Sequence, residues 1–170
     1  MIEMPDDRTI RRPLLQVRRR LNRYRNWLAG QNDILTMFQH NKDVYKYMAG
    51  AIWGIPDEDV TAEQRFICKT TVLGSGYGMG AAKFQGQLAT MGKHLDFDMC
   101  AFIIKRYRYA NNMIASWWKD LEQVLEAMIR NQEQDADRVG VLRVSPFTGI
   151  ALPNGLYLNY PELRKGSNGE

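Results

Sequence analysis

Between Thr61 and Gly80 the chain reads Thr-Ala-Glu-Gln-Arg-Phe-Ile-Cys-Lys-Thr-Thr-Val-Leu-Gly-Ser-Gly-Tyr-Gly-Met-Gly, a stretch that opens a helix firmly and then works against it. Thr61 and Gln64 have the spacing of a capping box, in which each side chain satisfies an orphaned backbone donor of the other residue. Gly74, Gly76, Gly78 and Gly80 follow. Glycine costs up to about 1 kcal/mol inside a helix, so the backbone there is expected to flex, to approach something closely, or simply to end the helix. Between these signals Arg65, Lys69, Leu73 and Tyr77 lie four apart. Four helical residues advance about 6 Å and rotate about 40°, which predicts a slowly turning stripe led by two cations. Cations near a helix N-terminus are mildly unfavourable unless an anion lies between them, and a polyphosphate would be such an anion.

The flanks read as further helices. Residues 14–28 have a helical pattern, Ile34, Leu35 and Phe38 suggest a short helix, and Val44, Tyr47, Met48, Ala51 and Ile52 have the spacing of a half-buried one ended by Gly54 and Pro56. Residues 81–89 continue as helix after the glycines, and Asp98 is placed to cap a helix over 99–109. A helix over 111–130 carries Ile114, Trp117, Trp118, Leu121, Leu125 and Met128 on one face, more in the manner of a core than of a stacking platform. Residues 131–140 are polar and acidic and predict a loop. Strand composition follows over 141–144 and 150–160, with Asn154-Gly155 suited to a type I′ hairpin turn. The predicted fold is mainly α, a helical bundle with a small C-terminal β-hairpin.

Charge is unevenly spread. Eight of the 23 basic residues (Arg8, Arg11, Arg12, Arg18, Arg19, Arg20, Arg23 and Arg25) but three of the 19 acids fall within the first 25 positions, so the rest of the chain is near neutral. Such density suits phosphate neutralisation on nucleic acid, and equally a solvated tail. Cys68 and Cys100 are too few for a metal cluster and read as buried reduced thiols, and His40 and His94 lack ligand partners nearby. Lys69-Thr70-Thr71 is not a phosphate-binding loop, because Cys68 stands where its glycine should be and no strand precedes it. No run approaches a membrane span and no secretion signal is evident, which places the chain in the cytoplasm with no membrane partner.

The stretch from 61 to 80 resembles the nucleotide-binding O helix of family A DNA polymerases, whose signature is Arg-x3-Lys-x3-Phe-Gly-x2-Tyr-Gly. Asp43-Val44-Tyr45, Ala49, Gly54, Pro56, Val60-Thr61 and Gln64-Arg65 match the approach to that helix without a gap. The resemblance covers residues 23–162 and is strongest over 43–88. It divides the chain into a basic arm over 1–22, a partial polymerase domain with a fingers-like bundle over 23–162, and a polar tail over 163–170. It implies that Arg65 and Lys69 hold the triphosphate of an incoming dNTP, that Leu73 lies near its sugar, and that Tyr77 stacks near the template base. Tyr45 stands where the family has a histidine that contacts phosphate, and Leu73 where it has an aromatic residue. Gly78, with Arg106 and Arg108 in a Tyr-Arg-rich segment, would face template DNA.

The family's reaction uses Mg²⁺ held by aspartates. Placing Arg23 on the arginine of the first catalytic motif puts Gln16 at its aspartate, Arg18 at its serine and Leu21 at its glutamate, and the sequence ends before the His-Asp-Glu motif. The resemblance therefore implies no catalytic residue, no metal site and no bound Mg²⁺ in the isolated chain. It leaves a remnant, or one piece of a split phage or prophage polymerase whose palm and exonuclease are a separate polypeptide. A non-catalytic basic nucleic-acid-binding protein on the same scaffold is the alternative, and a structural accessory protein a third.

Overall fold

The computed structural model describes residues 21–130 without interruption and, beyond them, 132, 134–136, 140–145, 149–152, 154–160 and 163. The arginines expected to form a basic arm up to position 20, with Gln16 and Arg18, lie outside the described residues, as does the tail over 164–170. The fold is mainly α: α1 (residues 21–28), α2 (Asn32–Gln39), α3 (Val44–Trp53), a single 3₁₀ turn (Asp57–Asp59), α4 (Ala62–Ser75), α5 (Ala81–Thr90), α6 (Phe97–Ala110) and α7 (Asn112–Ile129).

Local chemistry sets most of the boundaries. Asp43 caps α3 by accepting from the Tyr45 and Lys46 amides, and Gly54 ends that helix in the left-handed conformation at φ 70°. Thr61 and Gln64 form the expected capping box, with Thr61 Oγ1 accepting from the Gln64 amide at 3.1 Å and Gln64 Oε1 accepting from the Thr61 amide at 3.0 Å. The cap of α6 is Asp96 rather than Asp98. Its carboxylate accepts from the Met99 amide at 2.6 Å and so starts the helix at Phe97.

Helices α3, α4 and α6 pack together, with α5 laid against α6, around a core that includes Met48, Ile52, Cys68, Phe84, Leu88 and Ile103. Phe84 and Leu88 are wholly buried, each worth roughly 1.5–3 kcal/mol against exposure. The α1–α2 connection is tied down by Gln31, whose Oε1 accepts from the Met113 amide at 3.1 Å where α6 gives way to α7. On α7 the buried face is Ile114, Val124 and Ala127. Leu125 is turned out, so the expected stripe is rotated at its C-terminal half.

The C-terminal hairpin is present and is extended into an antiparallel sheet of order β1-β2-β3-β4, from β1 (Gln134–Asp135), β2 (Arg143–Ser145), β3 (Gly149–Ala151) and β4 (Tyr157–Leu158). Val144 pairs with Ile150 and Ile150 with Leu158. β1 lies in the acidic stretch expected to be a loop. It is held there by its pairing with β2 and by Trp117 Nε1, which donates to the Ala136 carbonyl at 3.2 Å and docks the sheet on α7. The β3–β4 turn is not type I′, which needs positive φ at two successive residues. Among the described residues of the turn Gly155 has it, at 80°, and Asn154 does not. The Leu152 amide donates to Leu156 at 2.8 Å while its carbonyl accepts from Gly155 at 3.0 Å, the pattern of a three-residue loop with a left-handed glycine.

Candidate functional site

Helix α4 turns one side to the core and the other to two grooves. Ile67, Cys68, Thr71 and Val72 are buried, and the Thr70 and Thr71 hydroxyls bond back to the Phe66 and Ile67 carbonyls at 3.2 and 2.9 Å. Burial pushes the Cys68 thiol up to about 12, so it is no nucleophile at neutral pH. The opposite side carries Arg65, Lys69 and Leu73, each half-buried. Tyr77 is not on the helical stripe. α4 ends at Ser75, residues 76–78 form a turn closed by Tyr77 N–H to Gly74 O at 3.0 Å, and Gly78 takes φ 78°. The ring of Tyr77 is 71% exposed.

The smaller groove, about 210 Å³, is lined by Asn22, Phe38, Asn41, Lys42, Tyr45 and Arg65, with Asp43, Val44 and Val72. Arg65 Nε donates to Asp43 Oδ2 at 2.7 Å, and its guanidinium carbon lies 5.4 Å from the Tyr45 ring centre. Burial alone would raise the Asp43 carboxyl, but the hydrogen bond and charge of Arg65 and the two α3 amides outweigh it and hold the group below its ordinary range. The pair is partly solvated, with side-chain exposures of 42% and 31%, and pairs of that kind contribute about 0.2–1 kcal/mol. Arg65 is thus oriented by a carboxylate but weakly held.

The larger groove, about 440 Å³, is lined by Leu21, Asn22, Phe66, Lys69, Thr70, Leu73, Gly74, Tyr77, Gln87 and Met91. Among the described residues Lys69 makes no ion pair or hydrogen bond, so its ammonium faces this groove uncompensated. Asn22 lines both grooves, which therefore adjoin at α1. The structure brings Lys69, Leu73 and Tyr77 to one groove, and Arg65 and Tyr45 to its neighbour one helical turn away.

The other expected site residues stand elsewhere. Arg106 donates from Nη2 to the Ala51 carbonyl at 2.7 Å and so caps the end of α3, and Arg108 lies 6.0 Å from the Trp118 ring centre. Neither lines the α4 grooves. Arg25, counted in the sequence among the basic arm, is 9% exposed and packed beneath the turn after α4. Sequence reasoning also missed the wall formed by Leu21 and Asn22; the first sits in an arginine-rich run that gives no sign of facing a groove. Among the described residues no three His, Cys, Asp or Glu side chains come together, and Asp43 is already engaged by Arg65 and by α3. The donor set of the two grooves does not fit a hard divalent cation, which needs several oxygen ligands.

The sequence model of DNA polymerase family A matches residues 25–135. The chain is 28% identical over 99 residues to the thermostable DNA polymerase I of Thermus thermophilus, covering 58% of this chain and 11% of that protein. It is 27% identical over 99 residues to the thermostable DNA polymerase I of Thermus aquaticus, again 58% and 11%. The DNA polymerase I of Pseudomonas aeruginosa is 35% identical over 66 residues, 39% of this chain and 7% of that protein. The chain thus spans about a tenth of the length of the relatives it matches.

Proposed function

The chain belongs to DNA polymerase family A, and from that premise we propose that it supplies the part of such an enzyme that receives the incoming dNTP and the template during DNA replication in the cytoplasm. The observation that carries this reading is the convergence of Lys69, Leu73 and Tyr77 on one groove, with Arg65 a turn earlier on the same helix. The Lys69 ammonium meets the triphosphate as a point charge. Arg65, leaving a pair worth no more than about 1 kcal/mol, offers a planar fork to the same anion. Leu73 supplies an apolar contact for the sugar and Tyr77 a ring for the base end. Tyr45 lies against Arg65 and orients it. Gly78, Arg106 and Arg108 are proposed to meet template DNA outside the grooves, the two arginines after giving up the contacts they make within the bundle.

Family A polymerases use magnesium, and the described residues do not fit it, so no step is assigned to the metal in this chain. The metal-binding carboxylates belong, in this proposal, to residues outside those described or to a separate palm polypeptide. Purified protein is accordingly expected to give no primer extension with magnesium or manganese. Extension that survived removal of host polymerases and vanished with Lys69→Ala would overturn this. The nucleotide reading is tested by thermal shift with a dNTP. Arg65→Ala with Lys69→Ala should abolish the shift and weaken binding at least tenfold, since hydrogen bonds to charged groups are worth about 1.5–3 kcal/mol. An undiminished shift in the double variant would remove the phosphate role.

A further inference from the structure

Gly76 is a glycine that its backbone does not require. Its φ of −60° and ψ of −18° are those of a right-handed helix, open to any residue. What it provides is space, because a Cβ at this position would overlap Nη1 and Cζ of Arg25. Arg25, on α1, is 9% exposed, and its Nη1 donates to the carbonyl of Val72, 47 positions later in the last turn of α4, at 3.4 Å. No acid pairs with it among the described residues, and its Nε is buried without a partner. A buried cation needs compensation, and two sources are at hand. One is the partial negative charge of the α4 C-terminus. The other is the face of Tyr77, whose ring centre lies 5.8 Å from the guanidinium carbon. The charge is also felt across the core by Tyr107, whose phenol is raised by burial and pulled partly back by Arg25.

We propose that Arg25 is a positioning residue that reaches from α1 across the end of α4 and fixes the ring of Tyr77 at the end of the larger groove, Gly76 being the slot that admits its guanidinium. Tyr77 is otherwise largely exposed, and its hydroxyl makes no hydrogen bond among the described residues. The orientation of the ring is therefore set by a residue that does not line the groove. The inference rests on the reading above only for what the groove holds, since the clamp is a property of α1 and α4 alone. With a nucleotide in the groove, Arg25 sets how the base end is met without touching the ligand.

The test is a double-substitution cycle in protein carrying 3-fluorotyrosine, with the Tyr77 ¹⁹F resonance assigned by its loss in Tyr77→Phe. Arg25→Met keeps an unbranched side chain and removes the charge. It should move the Tyr77 resonance toward the position of an exposed tyrosine. Gly76→Ala should move it in the parent, where Cβ displaces the guanidinium, and leave it in place in the Arg25→Met background. The melting temperature should follow, falling with Gly76→Ala in the parent and rising or holding in Arg25→Met, because alanine is the better helix former once the slot is empty. An equal ¹⁹F shift from Gly76→Ala in both backgrounds would overturn the clamp. So would an unmoved Tyr77 resonance in folded Arg25→Met, even if dNTP bound normally. A Tyr77 signal that obeys the cycle in a protein that binds no dNTP would uphold the clamp and remove only the nucleotide reading.

Discussion

The two ends of α4 are held by opposite means. At the N-terminal end Thr61 and Gln64 satisfy one another across three residues, and the next turn is tied through Arg65 to the cap of α3. At the C-terminal end the local closure is only a tight turn, in which the Tyr77 and Gly78 amides donate to the Gly74 and Ser75 carbonyls at 3.0 and 3.1 Å. A buried arginine from another helix donates to its last turn, and polar atoms nearby in sequence or space, Ser75 Oγ, Tyr107 OH and Arg25 Nε, are buried without partners among the described residues. One end is specified by a capping box between neighbours in sequence, the other by a tight turn and a distant contact beside buried polar atoms that lack partners among the described residues. The candidate ligands follow the same division, with Arg65 near the stable end and Tyr77 in the turn beyond the other.

The largest effect should come from the middle of the helix, which both ends share. Ile67 is 5% exposed in the core, and Ile67→Ala should cost about 3 kcal/mol through lost burial and a residual cavity. Urea unfolding would measure it. A loss below about 1 kcal/mol would mean that α4 is held by its ends rather than by its buried face, and the comparison would then weigh more than the core. At the N-terminal end Thr61→Ala removes one arm of the capping box and should cost about 1–1.5 kcal/mol. A negligible cost would erase the contrast between the ends.

The C-terminal end should respond with the opposite sign. Tyr107 is 1% exposed and its hydroxyl has no partner among the described residues, so Tyr107→Phe removes a desolvated group while keeping the ring. Stability should rise by up to about 1 kcal/mol, since an unsatisfied buried hydroxyl carries a penalty and no hydrogen bond is lost. A clear loss in urea midpoint would show that the phenol is satisfied after all and that the two ends are more alike than they look.

This division also explains what could be read in the sequence. The capping box at Thr61, the glycine stop of α3 at Gly54 and the α6–α7 pair follow from spacings of a few residues, and all are found. The β3–β4 hairpin was legible for the same reason, although its turn type was not, because Asn154-Gly155 serves two turn geometries. β1 was hidden because two residues of an acidic run take strand form through pairing with β2 rather than through their own preference. Among the site residues, Arg65, Lys69 and Leu73 share a face as their spacing requires. Tyr77 leaves it because α4 stops at Ser75, where Arg25 packs against the last turn. An arginine at the end of an arginine-rich run reads as surface charge, and its burial depends on the space that Gly76 leaves open far along the chain.

The smallest effect, and the one that ties the stable end to the proposed site, concerns Asp43. Asparagine can still accept from the Tyr45 and Lys46 amides, so Asp43→Asn keeps the α3 cap and removes the ion pair with Arg65. At pH 7 the cost should be about 0.5 kcal/mol, as for other partly exposed pairs. The sign with pH follows from the depressed carboxyl. A group whose folded pKa lies below its unfolded value, near 3.8, contributes stability that is fully present above that value and is lost as pH falls through the folded pKa. The gap in urea midpoint between parent and Asp43→Asn should therefore be constant from pH 7 to about 5 and close below about 4. A gap that persists at pH 3 would assign the difference to the cap rather than to the charge. The same substitution releases Arg65 from its competitor, so inorganic triphosphate should bind Asp43→Asn about twofold tighter, the equivalent of the 0.5 kcal/mol lost in folding. Weaker binding would mean that Asp43 holds Arg65 in the pose the anion needs, and the carboxylate would then belong to the site rather than compete with it.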